Sequence, residues 1–338
     1  MTSQDPKAAF RRYCEAFSHP ASDGFCSAVE GFFASDAAIN VVHPFNDLIG
    51  PDAYHGAVIA PLLASFNGLF RTQYIAFGGA YDGSDWVTCT GYYSGHFANA
   101  WLGIPASGAL AHLRFGEFHR MVDGQAVESY IFFDIPELMI ARGVWPETIP
   151  SPAIVPGFTG YLPGPASQDG LRWGPPEIAR GTSSYQMVTD MLGALATEDE
   201  AWRPYWHDNM LWFGPAAFGS FVGVEKFAAF QVPFEGCFAE WIGGSKPGSL
   251  TKHFTRFGDG DYVCSGGWPS LNCVQIKPFL GQEPTGERLF VRVCDWWRRE
   301  ADLLVENWVF VDIPHVLLQL GLDIFADRAR VVSAHAKG

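Results

Sequence analysis

Charge is what this chain has least of. Asp, Glu, Lys and Arg make up only 17% of its 338 residues. The basic residues number 22 against 36 acidic ones, for a net charge of −14. A nucleic-acid partner rewards clustered Lys and Arg, so this balance argues against one. Long apolar runs are missing too: no stretch of 18 residues is continuously apolar, so no membrane partner is expected. The opening MTSQDPKAAFRRYCEAF lacks the apolar core of a secretory leader. Seven cysteines lie scattered without a CxxC pair. That usage predicts reduced thiols and a cytoplasmic location. GxGxxG, P-loop, Gly-x-Ser-x-Gly and HExxH patterns are all absent. Ser249-Leu250-Thr251-Lys252 fits S-x-x-K but has no SDN or KTG companion. Neither nucleotide, covalent serine nor metal chemistry is expected, and no cofactor is implied.

What is abundant is aromatic: 28 Phe, 12 Trp and 11 Tyr. Such content suits cores and deep apolar pockets alike. The length admits two domains of ordinary size, and one phrase is written twice. YIFFDIPELMIARGV (Tyr130 to Val144) and WVFVDIPHVLLQLGL (Trp308 to Leu322) share Phe132/Phe310, an Asp-Ile-Pro triplet and Gly143/Gly321. The offset is 178 residues, and it also pairs Glu128/Glu306, Arg120/Arg298, Arg114/Arg292 and Gly108/Gly286. Upstream it becomes 176, matching Asp85-Trp86-Val87 to Asp261-Tyr262-Val263 and Gly91 to Gly267. A loop two residues different in length explains the change, so the chain carries an internal duplication.

Each half opens with an amphipathic helix, the first at Asp5-Pro6 and the second at Ser183 or Ser184. A short strand follows in each, AAINVV and NMLWF. Tyr54-His55-Gly56 and Phe221-Val222-Gly223 then lead into another helix. Strand after strand completes each half, with turns at Asp82-Gly83, Asp123-Gly124 and Asp259-Gly260. Helices first and antiparallel strands after them predict α+β domains with a curved sheet folded over helices. The expected division is residues 1–145, a Pro/Gly-rich linker at 146–182, and a second domain at 183–330. Phe158, Tyr161, Leu162 and Trp173 are candidates to pin that linker to a domain surface.

The run from Gly91 to Asp134 resembles the SnoaL-like polyketide cyclases of the nuclear transport factor 2-like superfamily. The resemblance rests on Gly103-Ile104-Pro105-Ala106-Ser107-Gly108, on Asp123-Gly124-Gln125-Ala126-Val127-Glu128 and on the strand closing at Asp134. In the second half, Pro284-Thr285-Gly286, Glu306-x-Trp308 and Leu317 to Gly321 keep the pattern. It implies two tandem cystatin-like cone domains, each enclosing an apolar pocket, arranged as an internal pseudodimer that leaves room for a further homodimer. It also implies cofactor-independent acid/base chemistry on a small hydrophobic carbonyl or ester compound: cyclisation, isomerisation, dehydration or hydrolysis. Tyr93 stands where many members carry a strand histidine, and the competing reading is a non-catalytic binding protein for apolar molecules.

Alternation along a strand puts Glu128, Tyr130, Phe132 and Asp134 on one face, and Phe115, Glu117 and His119 on one face of the strand before it. In the family, the terminal Asp is the acid/base. The resemblance therefore implies Asp134 as base, with His119 as donor or orienter. Glu117, which shares the face of His119, and His43, near the expected mouth, complete the catalytic candidates. Asp134 equally suits the N-cap of a helix, a role that lowers its basicity. Tyr93, Phe115, Tyr130 and Phe132 are the expected substrate lining. The second half offers Asp295, Trp297, Trp308 and Asp312; Trp297 replaces His119 and Trp268-Pro269 interrupts a strand, which favours the first half as the reactive one.

Overall fold

Strand pairing sorts the chain into two sheets with one connection plan. The computed structural model describes residues 5–18, 20, 24–149, 162–195, 200–243 and 253–326. The first unit is built by α1 (Pro6–Ala16), α2 (Phe25–Phe32), β1 (Phe33–Val41), β2 (Asn46–Ile49), α3 (Gly50–Tyr54), α4 (Ala60–Ser65), β3 (Phe66–Tyr81), β4 (Ser84–Phe97), β5 (Leu110–Val122), β6 (Gln125–Phe133) and α5 (Ile135–Ala141). Its sheet runs β2-β1-β6-β5-β4-β3, antiparallel except where β1 lies parallel to β6. The second unit contains α6 (Ile178–Leu195), β7 (Trp206–Phe213), β8 (Ser220–Val222), α7 (Val224–Glu235), β9 (Phe238–Gly243), β10 (His253–Asp259), β11 (Tyr262–Gln275), β12 (Arg288–Glu300), β13 (Leu303–Val311) and α8 (Ile313–Gln319). Its sheet runs β8-β7-β13-β12-β11-β10, with β9 also on β11 and with β7 parallel to β13. Both are mixed α+β units, and the order of pairing is the same.

Several local expectations shift. α6 starts at Ile178, five residues before Ser183. Tyr54-His55-Gly56 does not introduce a helix but lies within one. Gly50-Pro51 has already started α3, and a π-helical turn at His55–Ile59 carries the run into α4. Gly223, by contrast, does precede α7, with φ near +89°. Asp82-Gly83 and Asp123-Gly124 form two-residue hairpin turns with positive φ at both positions, the geometry that matches strand twist. The third hairpin turn is Gly260-Asp261, one residue later than expected, because Asp259 still pairs with Tyr262, and here positive φ is found at Gly260 but not at Asp261. Trp268-Pro269 does not end a strand. β11 continues through it with a register shift between Gly267 and Leu271, the irregularity at which a strand tolerates proline.

Contacts group Met1–Trp145, Pro163–Pro175 and the described residues from Asp323 on as the first unit, and Pro176–Leu322 with the second. So 163–175, expected as linker, is ordered on the first unit. The Ala76 N–H donates to the Gly170 carbonyl at 2.8 Å, the Arg172 N–H to that of Ala76 at 2.8 Å, and Trp173 rests against Phe10. Phe158, Tyr161 and Ser249–Lys252 lie outside the described residues. No helix among the described residues is long and apolar enough to cross a membrane.

Candidate active site in the first unit

Direct cross-strand partners share a sheet face, so the register decides which candidates meet. Glu117 lies opposite Cys89 and Ile131, and His119 opposite Val87 and Ser129. Phe115 lies opposite Gly91 and Phe133. This face, joined by Arg71 and Tyr93, is covered by α1 and α2. Phe10, Tyr13, Phe32 and Phe33 place their rings 5.0–5.9 Å from the His119 imidazole. Phe118, Tyr130 and Arg114 belong to the opposite face. The Asp134 N–H continues the register by donating to the Arg114 carbonyl.

The expectation that Asp134 and His119 face one pocket is therefore corrected. Alternation within each strand was read properly, but the pairing offset puts the two sets on opposite faces. Asp134 caps α5, its Oδ1 accepting the Glu137 N–H at 3.3 Å, and stands 3.9 Å from Arg114. Tyr130 and Phe132 go with it; the Tyr130 hydroxyl donates to Glu128 at 2.6 Å. The same split recurs in the second unit. Asp295 pairs across to Val309 and Trp297 to Asn307, while Trp308 pairs to Trp296 on the other face. Asp312 caps α8 through the His315 N–H at 3.2 Å and bonds Arg292 at 3.1 Å.

What the first face does bring together is a polar chain inside an aromatic shell. Arg71 grips Glu117 with two hydrogen bonds of 2.8 Å, and neither side chain has any exposure. Glu117 also meets His119 Nε2 at 3.3 Å, and His119 Nδ1 lies 2.8 Å from the Ser129 hydroxyl. Arg71 also donates to the Tyr93 hydroxyl at 3.2 Å, and its guanidinium lies over the Phe115 ring at 4.2 Å. Cys89 sits 3.1 Å from the same guanidinium. Bidentate geometry plus stacking is what arginine supplies and lysine does not.

Position in the fold sets the charges. Burial pushes the Glu117 carboxyl up, but Arg71 and His119 override it and leave it below its ordinary range. Burial pushes His119 down, only partly opposed by Glu117. The imidazole is thus neutral beside a charged carboxylate, which assigns the proton to Nε2 and leaves Nδ1 to accept from Ser129. Burial holds Tyr13 and Tyr54 well above the usual phenol range, with Glu117 adding to it in both. Their hydroxyls are buried and lie close enough to affect each other, but neither makes a hydrogen bond of ordinary geometry, a costly state that a better partner would relieve. Ser129, Arg71, Tyr13 and Tyr54 were not anticipated from the sequence. Only the cross-strand register could have found Ser129, and Arg71 lies in a strand whose bulge no local pattern announces.

His43 is elsewhere. It follows β1, with Nε2 at 3.6 Å from Asp323 and its ring 5.5 Å from Phe325. Pro44, next in sequence, lines an open cleft of about 630 Å³ whose walls include Phe45, Ala57, Pro61 and Trp101. In the second unit, Val291, Val293, Phe234 and Phe279 surround a small apolar cavity instead. Among the described residues no three His, Cys, Asp or Glu side chains are grouped to hold a metal ion.

No protein-family model matches the chain, and no curated protein does. Solved structures similar to it include a candidate SnoaL-like polyketide cyclase from Jannaschia sp. CCS1, at 19% identity and a TM-score of 0.36, covering 43% of this chain and 97% of that one. Another is IdmH, a candidate polyketide cyclase from Streptomyces antibioticus, at 20% identity and 0.34, covering 41% and 98%. A third is AclR, a candidate hydroxylase from Streptomyces galilaeus, at 15% and 0.35, covering 41% and 96%. At these identities and TM-scores the likeness carries no argument about activity.

Proposed function

We propose that the first unit is an acid/base enzyme acting on a small, neutral, hydrophobic carbonyl or ester compound, with His119 and not Asp134 at its centre. The observation that carries this reading is a pair of buried hydroxyls, Tyr13 and Tyr54, which have only each other as loose hydrogen-bond partners beside the Glu117–His119 couple. A proton next to a substrate carbonyl passes to Ser129 Oγ as that hydroxyl gives its own proton to His119 Nδ1. Glu117 accepts the Nε2–H and steadies the imidazolium as it forms. Tyr13 and Tyr54, kept protonated by burial, donate to the enolate oxygen, and Arg71 adds positive field close by. Returning the proton to another carbon gives isomerisation; attack of the enolate on a second carbonyl gives aldol ring closure.

The test uses two silent hydroxyls. Tyr13→Phe and Tyr54→Phe should each lower the rate of deuterium incorporation beside the carbonyl of an accepted ketone by about 10²–10³. Each should cost no more than about 1 kcal/mol of stability, because the hydroxyl it removes makes only a poor hydrogen bond to the other tyrosine. Unchanged exchange in both variants would sink the mechanism. A second reading, binding without turnover, is favoured by one observation: Glu117, His119 and Ser129 are wholly buried and already satisfy one another.

A further inference from the structure

The reactive cluster proposed above is sealed, yet a cleft lies near it. Phe133, the last residue of β6, occupies the space between the two. Its ring is 6.5 Å from Phe45 and 6.5 Å from Trp101 in the cleft wall, and 6.1 Å from Tyr93 of the cluster. Tyr93 in turn accepts from Arg71, the partner of Glu117. Phe133 is also the cross-strand partner of Phe115, which lies under the same guanidinium. One side chain, 4% exposed, thus touches the outer aromatic wall and the inner polar chain.

We infer that the cleft is the outer binding site for the substrate and that Phe133 is the gate between it and the Glu117–His119 cluster; this rests on the acid/base reading of that cluster. The cleft volume of about 630 Å³ fits a small ligand. Its lining carries no charged side chain, and the Arg71 charge beyond the gate is already matched by Glu117. A ligand carboxylate would meet no uncompensated cation, so the ligand class is a neutral, flat carbonyl compound. Trp101 supplies a flat aromatic wall to the cleft. The turn that holds Trp101 is fixed, with its carbonyl accepting the Ile104 N–H at 2.8 Å. The opposite wall includes Ala57 in the π-helical turn, a kind of irregularity that often marks a functional site. Among side chains of the β6 terminus it is Phe133, next to Asp134, that shares the sheet face of Glu117.

Cys89 reports on this route without any substrate. Its thiol is fully buried 3.1 Å from Arg71, so alkylation by iodoacetamide, read residue by residue in a mass spectrometer, measures access to the cluster. Phe133→Ala should speed labelling of Cys89 by about tenfold or more, while the buried Cys264 and Cys294 of the second unit stay slow. Adding Ala100→Trp, which fills the cleft from an exposed position, should return Cys89 to the slow rate. Acetophenone should protect Cys89 in the Phe133→Ala protein, and benzoate should not. Cys89 labelling that ignores Phe133→Ala, or that stays fast with the cleft filled, overturns the gate. Equal protection by both compounds overturns the ligand class. If Phe133→Ala does not fold, Phe133→Leu gives the same comparison with a smaller loss of volume. Labelling is independent of turnover, so the route can stand even if the His119 chemistry fails.

Discussion

Arg71 and Glu117 form a costly arrangement, since two charges are taken fully out of water, offset by two 2.8 Å bonds and a ring stack. Such a pair adds little net stability, but removing one member leaves a charge stranded. Arg71→Met should therefore destabilise the protein by about 3–5 kcal/mol, read from urea unfolding. A loss near zero would mean that water reaches the site. The neighbouring histidine gives a pH signature. His119 is held below its ordinary 6.5 by burial, so in acid the unfolded chain takes up that proton first. Its contribution to stability is whole above about 6.5 and is lost as pH falls from there toward the folded value. Glu117, also lowered, adds a second loss at lower pH, below the ordinary carboxylate range. Thermal melts should show a shallower decline between pH 6.5 and 5 for His119→Gln than for the parent. Equal slopes would place a charged imidazole in the folded protein.

At the scale of elements, the duplicated Asp-Ile-Pro phrase is a corner joint. Each copy ends a strand, caps the following helix and meets the arginine of the preceding strand: Asp134 with Arg114, Asp312 with Arg292. Asp134→Ala and Asp312→Ala should each cost about 1 kcal/mol from the cap alone, with more from the arginine left behind. Asp134→Asn should keep most of the cap. Denaturant midpoints check both, and an Ala variant as stable as its parent would contradict the joint. The sequence made this joint legible because a cap and a Pro-led helix are local chemistry. Two of the three hairpin turns and the strand alternation were legible for the same reason. The partner of each strand face was not. A shift of one residue in pairing exchanges the faces, and it alone separates Asp134 from His119. The bulge beside Gly91 was also hidden. Any side chain there would strike the Thr72 carbonyl at 1.9 Å, which explains the glycine only once β3 is seen to bend toward β4.

Across the whole chain, two units share a plan but not a site. Where the first has Glu117, His119 and Ser129 in register, the second has Asp295, Trp297 and Asn307. The imidazole is lost, and the proton relay with it. On the proposed reading the chain has one reactive centre, and the second unit keeps the strand order without the imidazole. The most direct measurement compares three variants in deuterium exchange beside the carbonyl of an accepted neutral ketone. His119→Gln removes no charge, because the imidazole is neutral, and should still fold at neutral pH with a loss of about 1–3 kcal/mol from the altered buried hydrogen bonds. Its exchange should fall by about 10²–10⁴, while Asp134→Asn and Asp295→Asn exchange at close to the parent rate. Full exchange in His119→Gln together with its loss in Asp134→Asn would contradict the account and return the chemistry to the opposite face of the sheet.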